Sequence, residues 1–524
     1  MTLTIGHEIE AIDLARLLGP WARARPDDPA LVTAEESLGW RDLDRASRAY
    51  AAGLLALGLR PGERAASLMP NCSALLVHYL ACLRAGIVAV PLNYRYTPRE
   101  IGHGLAASGA SVLLAHAERD ADLAACPEAG RLRLGVIRHP HGTGGAPGFA
   151  ALAGGAAPDA AIPAPAAADP AFIFFTSGST GPAKGVTHSG ASLGAQIAAV
   201  LAAREIGAAD IVLTGASLSH IGALTDALMA MAAGARLVIP RRFDGAEILP
   251  LLRAHRPTML HMLAPALFAL VREHGAARAD FASVRLCLSG GDKVPGQLAR
   301  RLQALAGLDV HEQYGMTETG ISTVNPPHGV NKIGSVGRPM PGFEVAIRDA
   351  EGRDLPVGAE GRLWVRSPGN MIGYWGDPAA TRATLREGWL DTGDVMRLDA
   401  DGYLWFCGRQ KQIIVHDGSN ISPQEVEEAL LEHPAVAMAG AVGVRNLLHG
   451  ENVDAFVALR DGAPPPGEAE LIAFARERIG YKAPEHVFLL DRLPQTPTGK
   501  LDRGALKQLA AERHAGAVDF PSSA

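Results

Sequence analysis

A loop rich in glycine and hydroxyl side chains follows the apolar run FIFF and contains a single lysine. Its polar candidates are Thr176, Ser177, Gly178, Ser179, Thr180 and Lys184. Backbone amides, hydroxyls and an ammonium group can together surround phosphate oxygens. The loop is not a P-loop, because the second glycine of that pattern would fall on Ala183 and Gly185 follows the lysine in place of Ser or Thr. It predicts either a phosphate grip of another type or a plain connection between strands.

Four further segments carry groups that could act on a nucleotide and an acid. In chain order they are QYGMTETG at 313–320, GWLDTGD at 388–394, GRQKQIIVHDGSNISPQEVE at 408–427 and LPQTPTGKLDR at 493–503. Each alone is also typical of a strand-to-loop junction, a turn or a surface loop. Together with the loop after FIFF, and in this order, they resemble the adenylate-forming superfamily of acyl- and aryl-CoA synthetases, adenylation domains of peptide synthetases and beetle luciferases. The resemblance runs from about residue 20 to residue 503.

The resemblance implies a role for each polar group around the nucleotide. Tyr314 would stack on adenine, Thr317 would contact the α-phosphate region and Glu318 would hold Mg²⁺. Asp394 would bind both ribose hydroxyls, a suitable use of an acceptor with two oxygens, and Arg409 would contact the ribose as well. The cofactor-binding set is completed by the residues of the phosphate loop together with Gly290 and Gly291.

The same resemblance divides the chain into two domains. Residues 1–409 would form an N-terminal domain that binds ATP and the acid, and residues 410–524 a small mobile domain with its hinge at Lys411. Lys500 matches the catalytic lysine of the family, and Gly418 matches the glycine that lets the pantetheine arm of CoA pass close to backbone. Lys500 and the phosphate loop would therefore share a site only while the small domain is docked.

The implied reaction joins a carboxylic acid to AMP and then to a thiol. Attack of a carboxylate on a polyphosphate requires above all that negative charge be neutralised, and no nucleophilic side chain is needed. The catalytic candidates are Lys500, Thr317, Glu318 and His220. ATP, Mg²⁺ and CoA are the expected cofactors, and a small carboxylic acid is the expected partner. Loading of a free carrier protein is the alternative within the superfamily, and a non-catalytic nucleotide-binding module is the alternative outside it.

The acid-binding residues are expected around His220, which by resemblance would gate the carboxylate. Ile221 stands where amino-acid-activating domains hold an Asp, so an amino acid is not expected. The pocket would be mostly apolar and would be lined by Ile221, Gly222, Ala223, Met316 and Ile321. Such a pocket favours a fatty, alicyclic or aromatic acid. A dicarboxylate would require a fixed cation, and we interpret the nearest basic pair, Arg241 and Arg242, as part of a solvated loop.

Alternating strands and helices must place these loops along one edge of a sheet. Residues 39–92 predict helix, strand, helix and strand, and the alternation resumes at 171 after a Gly-, Ala- and Pro-rich connecting loop at 139–170. Hairpin-like runs beyond Gly334 predict a β-rich subdomain. The fold class is therefore α/β, with a large N-terminal domain of mixed or parallel sheets flanked by helices plus this subdomain.

The last part of the chain predicts a small mobile α+β domain. SPQEVEEALLEH predicts a helix with Ser422 at its N-cap and Glu425 completing a capping box. Two strand candidates, AMAGAVGV and NVDAFVAL, then precede a helix near 468–479.

Composition limits the classes of partner. The chain has 524 residues, 48% of them apolar, and a net charge of -6 with interleaved acids and bases, which does not favour nucleic acid or an anionic membrane. The five cysteines form no C-x-x-C pair, so neither a disulfide framework nor a zinc site is indicated. Neither a signal peptide nor a membrane span is predicted. We expect a cytoplasmic enzyme, with a homodimer as one possible assembly.

Overall fold

The computed structural model describes residues 2–4, 9–140, 148–155, 162–176, 183–291, 294, 296–410, 412–416, 419–446, 450–496 and 499–514. Within them the strands form four sheets, and helices cover the two largest. The described helices are Gly19–Ala24, Trp40–Ala56, Ser73–Ala85, Pro98–Ser108, Asp120–Ala124, Phe149–Gly155, Gly190–Arg204, Ile221–Ala233, Gly245–His255, Ala264–Arg272, Gly296–Ala306, Pro378–Thr384, Pro423–Leu431, Glu468–Ile479 and Arg503–His514. The predicted α/β class is confirmed.

The largest sheet has nine strands and is parallel at its centre. In spatial order its strands are Arg338–Pro339, Gly320–Val324, Val310–Met316, Leu286–Ser289, Met259–His261, Ile211–Thr214, Arg236–Val238, Pro29–Val32 and Ser37–Gly39. Its central strands are almost wholly buried apolar runs, because helices cover both faces. Three apolar runs that predict strands, ARLVIP, TMLHML and VRLCLSG, form Arg236–Val238, Met259–His261 and Leu286–Ser289 of this sheet.

A second sheet of seven strands carries the start of the phosphate loop. Its order is Gly373–Tyr374, Lys184–Ser189, Pro170–Thr176, Val88–Leu92, Arg64–Leu68, Val112–His116 and Val136–His139. The strand Pro170–Thr176 pairs antiparallel with Lys184–Ser189, so the loop between them returns the chain to the same end of the sheet. The helix, strand, helix and strand predicted for 39–92 are present at Trp40–Ala56, Arg64–Leu68, Ser73–Ala85 and Val88–Leu92.

Two helices lie wholly inside the molecule. Every residue of Ser73–Ala85 is buried, and so is nearly all of Ile221–Ala233. Both sequences are apolar around the whole helix, so each must pack on all sides. Each ends at a glycine with positive φ, Gly86 and Gly234. The second helix matters for the site, because its first turn borders the cavity described below.

The predicted connecting loop at 139–170 is wrong in part. The residues Phe149–Gly155 form a helix that packs on Trp40–Ala56, with the rings of Phe149 and Tyr50 4.6 Å apart. Gly53 makes this close packing possible, because a Cβ there would lie 2.7 Å from the Leu152 carbonyl oxygen. A helix of seven residues is too short to give a clear apolar period, which is why composition pointed to a loop.

The predicted β-rich subdomain is an antiparallel sheet of six strands. It contains Thr2–Thr4, Glu344–Arg348, Glu360–Arg366, Trp389–Leu398, Leu385–Arg386 and Leu404–Arg409. The fourth sheet, in the C-terminal part, contains Ser419–Ile421, Ile414–His416, Gly450–Leu459, Val436–Asn446 and His486–Leu489. A separate apolar core lies against it, which agrees with a small α+β unit.

The C-terminal helix Pro423–Leu431 begins where it was expected, but the predicted capping box is absent. The Ser422 hydroxyl donates to Gln424 Oε1 at 3.0 Å and makes no cap bond to the backbone. The Glu425 carboxylate instead binds the Lys482 ammonium at 2.8 Å and 2.9 Å. The Lys482 ammonium, which is distant in sequence, thus takes the place of the Ser422 backbone amide as the donor to the Glu425 carboxylate.

Candidate active site

A cavity of about 1350 Å³ opens at the carboxyl ends of the parallel strands of the nine-stranded sheet. Its walls include Gly215, His261, Gly290 and Met316, each at the end of a strand or directly after one. Loops that leave parallel strands meet at this edge, which is where such sheets bind ligands. The predicted position of the site is therefore matched by a cavity larger than the usual range for one small molecule, which is about 300–1,000 Å³.

One side of the cavity is the predicted acid-binding side. Its lining includes all of the expected residues, Ile221, Gly222, Ala223, Met316 and Ile321. Arg241 and Arg242 both line the cavity, and the Arg241 guanidinium, with 33% of its side chain exposed, donates to Glu118 Oε1 at 2.6 Å. Arg242 is solvated as expected, with 70% of its side chain exposed.

His220 stands at the start of the helix Ile221–Ala233 and faces Asn93. The Asn93 Oδ1 atom accepts from the backbone amide of Arg95 at 2.8 Å, so the Asn93 nitrogen faces His220 Nε2, at 3.1 Å. An amide nitrogen only donates, and His220 Nε2 must therefore be the acceptor. Burial, together with the charge of Lys500, lowers the pKa of His220 to about 4. His220 is thus a neutral imidazole with its proton on Nδ1.

Lys500 lies in the same cavity, although it belongs to the C-terminal part of the chain. A Cβ built on Gly291 would lie 3.8 Å from Lys500 Cε, an ordinary contact distance, so the two residues are neighbours in the cavity wall. Gly291 also has a φ of 89°, which favours glycine. The positive charge of Lys500 acts on both His220 and Asp394. Lys500 therefore shares the cavity with His220 and is close enough to influence the pKa of Asp394 as well.

The nucleotide side joins residues from three of the recognised segments. The Tyr314 hydroxyl donates to Asp394 Oδ2 at 2.6 Å, and Arg409 Nε lies 2.9 Å from Asp394 Oδ1. Burial raises the pKa of Asp394, and the charge of Arg409 and the bond from Tyr314 only partly offset it. The carboxylate is buried and held in one orientation. The three residues are close enough to serve one nucleotide, and their individual roles remain predictions.

Glu318 and Lys184 are connected through a residue that the sequence did not single out. The Tyr374 hydroxyl donates to Glu318 Oε1 at 2.9 Å, and the Lys184 ammonium lies 5.0 Å from the centre of the Tyr374 ring. Burial raises the pKa of Glu318. Among the described residues, no group of three His, Cys, Asp or Glu side chains is placed to hold a metal ion. Tyr374 could not be found from sequence, because it lies 56 residues from Glu318.

The remaining candidates are partly described. Thr317 lines the cavity, and its carbonyl accepts from His188 Nε2 at 2.7 Å. Gly290 and Gly291 also line the cavity, and Thr176 ends its strand opposite Lys184. Ser177, Gly178, Ser179, Thr180, Lys411 and Gly418 lie outside the described residues. Their assignments therefore remain predictions.

A buried polar network supports two residues that line the cavity, and its contacts were not predicted from the sequence. Asp226 accepts from Arg204 at 2.8 Å, from the Thr214 hydroxyl at 2.9 Å and from His261 Nδ1 at 2.6 Å. Arg204 also donates to Gln313 Oε1 at 2.7 Å. The side chains of Arg204 and Asp226 are completely buried. His261 and Gln313, in contrast, line the cavity.

Comparisons with known proteins agree with this geometry. Residues 19–375 match the model of the AMP-binding enzyme family, and residues 425–500 match that of the AMP-binding enzyme C-terminal domain. A feruloyl-CoA synthase of Amycolatopsis sp is 36% identical over 94% of this chain and 98% of its own length. A long-chain-fatty-acid–CoA ligase of Yersinia pestis is 33% identical over 92% of this chain and 91% of its own.

Solved structures lead to the same family. The crystal structure of ATP-bound MatB from Rhodopseudomonas palustris has a TM-score of 0.87 and 29% sequence identity, and the match covers 95% of this chain and 99% of that one. No described helix is long and apolar enough to cross a membrane. The sequence match over most of the chain, and the cavity that unites its motifs, lead to one conclusion: this chain belongs to the AMP-binding enzyme family.

Proposed function

We propose that this enzyme is an AMP-forming ligase that joins a carboxylic acid to CoA with ATP and Mg²⁺. The observation that carries the proposal is the position of Lys500, which lies in one cavity with His220 on the acid side and acts on Asp394 on the nucleotide side. A cation at that junction can neutralise charge on both reaction partners as they meet. The relatives named as CoA synthase and CoA ligase support CoA over a free carrier protein as acceptor.

In the first half-reaction, a carboxylate oxygen attacks the α-phosphorus of ATP, and the bond from that phosphorus to the pyrophosphate oxygen breaks. Lys500 would hold the carboxylate and the α-phosphate together, and Lys184 would stabilise the departing pyrophosphate. Asp394 would accept hydrogen bonds from the ribose hydroxyls, with Tyr314 packed on the adenine and Arg409 at the ribose. Catalysis on this scheme is positioning and charge neutralisation.

Glu318 would hold the Mg²⁺ ion. Its pKa is raised by burial, so the carboxylate gains from a nearby positive charge, and the hydroxyl of Tyr374 fixes one of its oxygens. A bound Mg²⁺ would neutralise phosphate oxygens. The residues present therefore fit the ion.

In the second half-reaction, the thiol of CoA attacks the acyl carbon, its proton is lost to solvent, and AMP leaves. We propose that the part of the chain after residue 409 first rotates about Lys411, which would withdraw Lys500 and bring Gly418 to the pantetheine arm. The separate apolar core of the C-terminal sheet supports a unit that can move as one body.

The test is a panel of carboxylic acids incubated with the purified enzyme, ATP and Mg²⁺, with and without CoA. We expect acid-dependent pyrophosphate release in both cases and acyl-CoA only with CoA. A reaction without acid is the control. Pyrophosphate release that never leads to acyl-CoA would support the carrier-protein alternative, and an absence of pyrophosphate with every acid would contradict ligase activity.

A cytoplasmic setting and a homodimer complete the proposal. All five cysteines are free, which suits a reducing compartment. Fractionation of the source cells tests the compartment, and light scattering of the purified enzyme tests whether its mass is that of two chains.

A further inference from the structure

We propose that His261 and Gln313 form a polar end of the acid-binding side, and that this end selects aromatic acids carrying a ring oxygen over long saturated acids. The proposal rests on the proposed CoA-ligase function and narrows its substrate class. Both residues line the cavity, and each is bonded to the buried pair of Arg204 and Asp226. The rest of the predicted lining on this side is apolar.

The orientation of the Gln313 amide follows from its partners. A guanidinium can only donate, so the Gln313 oxygen must face Arg204, at 2.7 Å. The Gln313 nitrogen then faces His261 Nε2, at 3.3 Å. His261 Nε2 is consequently an acceptor, and its proton lies on Nδ1, 2.6 Å from Asp226 Oδ2. The donor or acceptor role of each atom, from Arg204 through Gln313 to His261, therefore follows from the role of the atom before it.

One donor of Gln313 remains for a ligand. Its amide nitrogen carries two hydrogens, and His261 uses one of them. Among the residues that the structure describes, no partner takes the second. A hydroxyl, methoxy or carbonyl oxygen on the acid can accept that hydrogen. An unsubstituted hydrocarbon would cover the donor without satisfying it, which is unfavourable in a buried site.

The wall behind these two residues is closed. Arg204 and Asp226 have no exposed side-chain surface, so an alkyl chain could not extend past them without breaking a buried ion pair. Arg204 does not line the cavity, and its two terminal nitrogens are bonded to Asp226 and Gln313, so it is not placed to bind a second carboxylate of the substrate. This polar end therefore disfavours a long saturated tail and offers no cation to a second carboxylate.

Gly222 keeps the polar end accessible. A Cβ at this position would lie 4.0 Å from His261 Cε1, and a larger side chain would cover the imidazole edge. The open edge and the free donor of Gln313 together favour a ligand with a polar atom at the end opposite its carboxylate.

The test measures kcat/KM for acyl-CoA formation with 4-hydroxycinnamic, cinnamic and hexadecanoic acids. We expect the hydroxylated acid to exceed cinnamic acid by about 10-fold, the effect of satisfying one buried donor, and hexadecanoic acid to be the poorest substrate. Methionine has a similar length to glutamine but no amide. In Gln313→Met, kcat/KM should therefore fall mainly for 4-hydroxycinnamic acid, so that the ratio of its kcat/KM to that of cinnamic acid approaches one. Gln303→Met, on an exposed glutamine bonded to Asp309, is the matched control and should keep the ratio.

The outcomes separate this inference from the proposed function. Acyl-CoA formed best from hexadecanoic acid, or a wild-type ratio below about two, would overturn the polar end and leave the ligase function intact. A ratio that survives in a folded Gln313→Met enzyme would overturn it equally. If that variant does not fold, the wild-type ratio decides alone. Failure of every acid to give AMP or acyl-CoA would instead contradict the ligase function.

Discussion

Two buried carboxylates beside the cavity, Asp226 and Glu318, have pKa values shifted in opposite directions. Burial acts to raise both. At Asp226 the interactions with His261 and Arg204 outweigh burial, and the pKa lies below its usual range. At Glu318 burial outweighs the bond from Tyr374, and the pKa lies above it. The negative charge of Asp226 is compensated by neighbouring groups of the protein, whereas that of Glu318 is not. An uncompensated buried carboxylate is typical of a group that binds a ligand.

The same contrast separates the two sides of the cavity. On the nucleotide side, Asp394 keeps a raised pKa despite the nearby Arg409. On the acid side, His220 is held neutral by burial. On the nucleotide side, the Asp394 carboxylate is therefore not fully compensated by positive charge and can bind a cationic partner. On the acid side, the His220 side chain is neutral and has a fixed orientation. Lys500 is the cation that acts on both sides.

The largest expected effect comes from removing the group between the two sides. Lys500→Ala should lower the rate of adenylate formation by about 10³-fold, because a positioned charge is lost where the new bond forms. Thioester formation from supplied acyl-adenylate should be largely retained. Pyrophosphate release and CoA-dependent consumption of acyl-adenylate measure the two half-reactions.

Lys507→Ala, on the C-terminal helix Arg503–His514, is a matched control for loss of a lysine from the same part of the chain. It should leave both half-reactions unchanged. Equal loss of the two half-reactions in Lys500→Ala would contradict the role assigned to Lys500.

The next largest effect should be a loss of stability when the charge of Asp226 is removed. Asp226→Asn leaves Arg204 as a buried charge without its counter-charge, which costs about 3 kcal/mol or more and should lower Tm by about 3 °C in a chain of 524 residues. Differential scanning calorimetry of the free enzyme measures the change. Asp27→Asn breaks the exposed pair with Arg41 and should leave Tm nearly unchanged. Similar Tm values for all three proteins would show that Asp226 is not held as described.

These two regions also differ in how far sequence could predict them. The nucleotide side was predictable because its residues lie within short segments of distinctive composition, as Tyr314 and Glu318 do. On the acid side the apolar lining was predicted, but the polar network was not, because Gln313 bonds to Arg204, which lies 109 residues away. Such pairs are created only when separate strands and helices pack together.

The fold likewise contains some elements that the sequence predicts and others that it does not. The alternation of strands and helices follows from apolar periodicity and was predictable, and so was the C-terminal α+β unit. The helix Phe149–Gly155 was missed because its stability comes from packing on a neighbouring helix, with Gly53 at the contact. The capping box failed because Lys482, 57 residues from Glu425, competes for the carboxylate. Local rules fail where a distant partner offers a stronger interaction.

A smaller change in stability is expected when the charge of Glu318 is removed, and its sign should be opposite to that at Asp226. Glu318→Gln should stabilise the free enzyme at pH 8 by about 1 kcal/mol and should abolish the stabilisation by Mg²⁺ and ATP. Because the folded pKa of Glu318 is raised, the ionised group destabilises the fold above that pKa, and this penalty disappears as pH falls. The Tm difference between variant and wild type should therefore shrink between pH 8 and pH 4. A lower Tm for the variant at pH 8 would mean that Glu318 contributes to the fold.

The smallest effect is expected from the phenol that supports Glu318. Tyr374→Phe removes the hydrogen bond that fixes Glu318 Oε1 but keeps the ring beside Lys184. The carboxylate should lose its fixed orientation toward Mg²⁺, and its pKa should rise further, so that protons compete with the ion at lower pH. We expect the Mg²⁺ concentration for half-maximal adenylation to increase about 3-fold at pH 8, and more at pH 6, where protonation competes. Tyr403→Phe, whose hydroxyl donates to the Val330 carbonyl, is the control and should not change it. An increase that is the same at both pH values would mean that Tyr374 acts through packing rather than through the charge of Glu318.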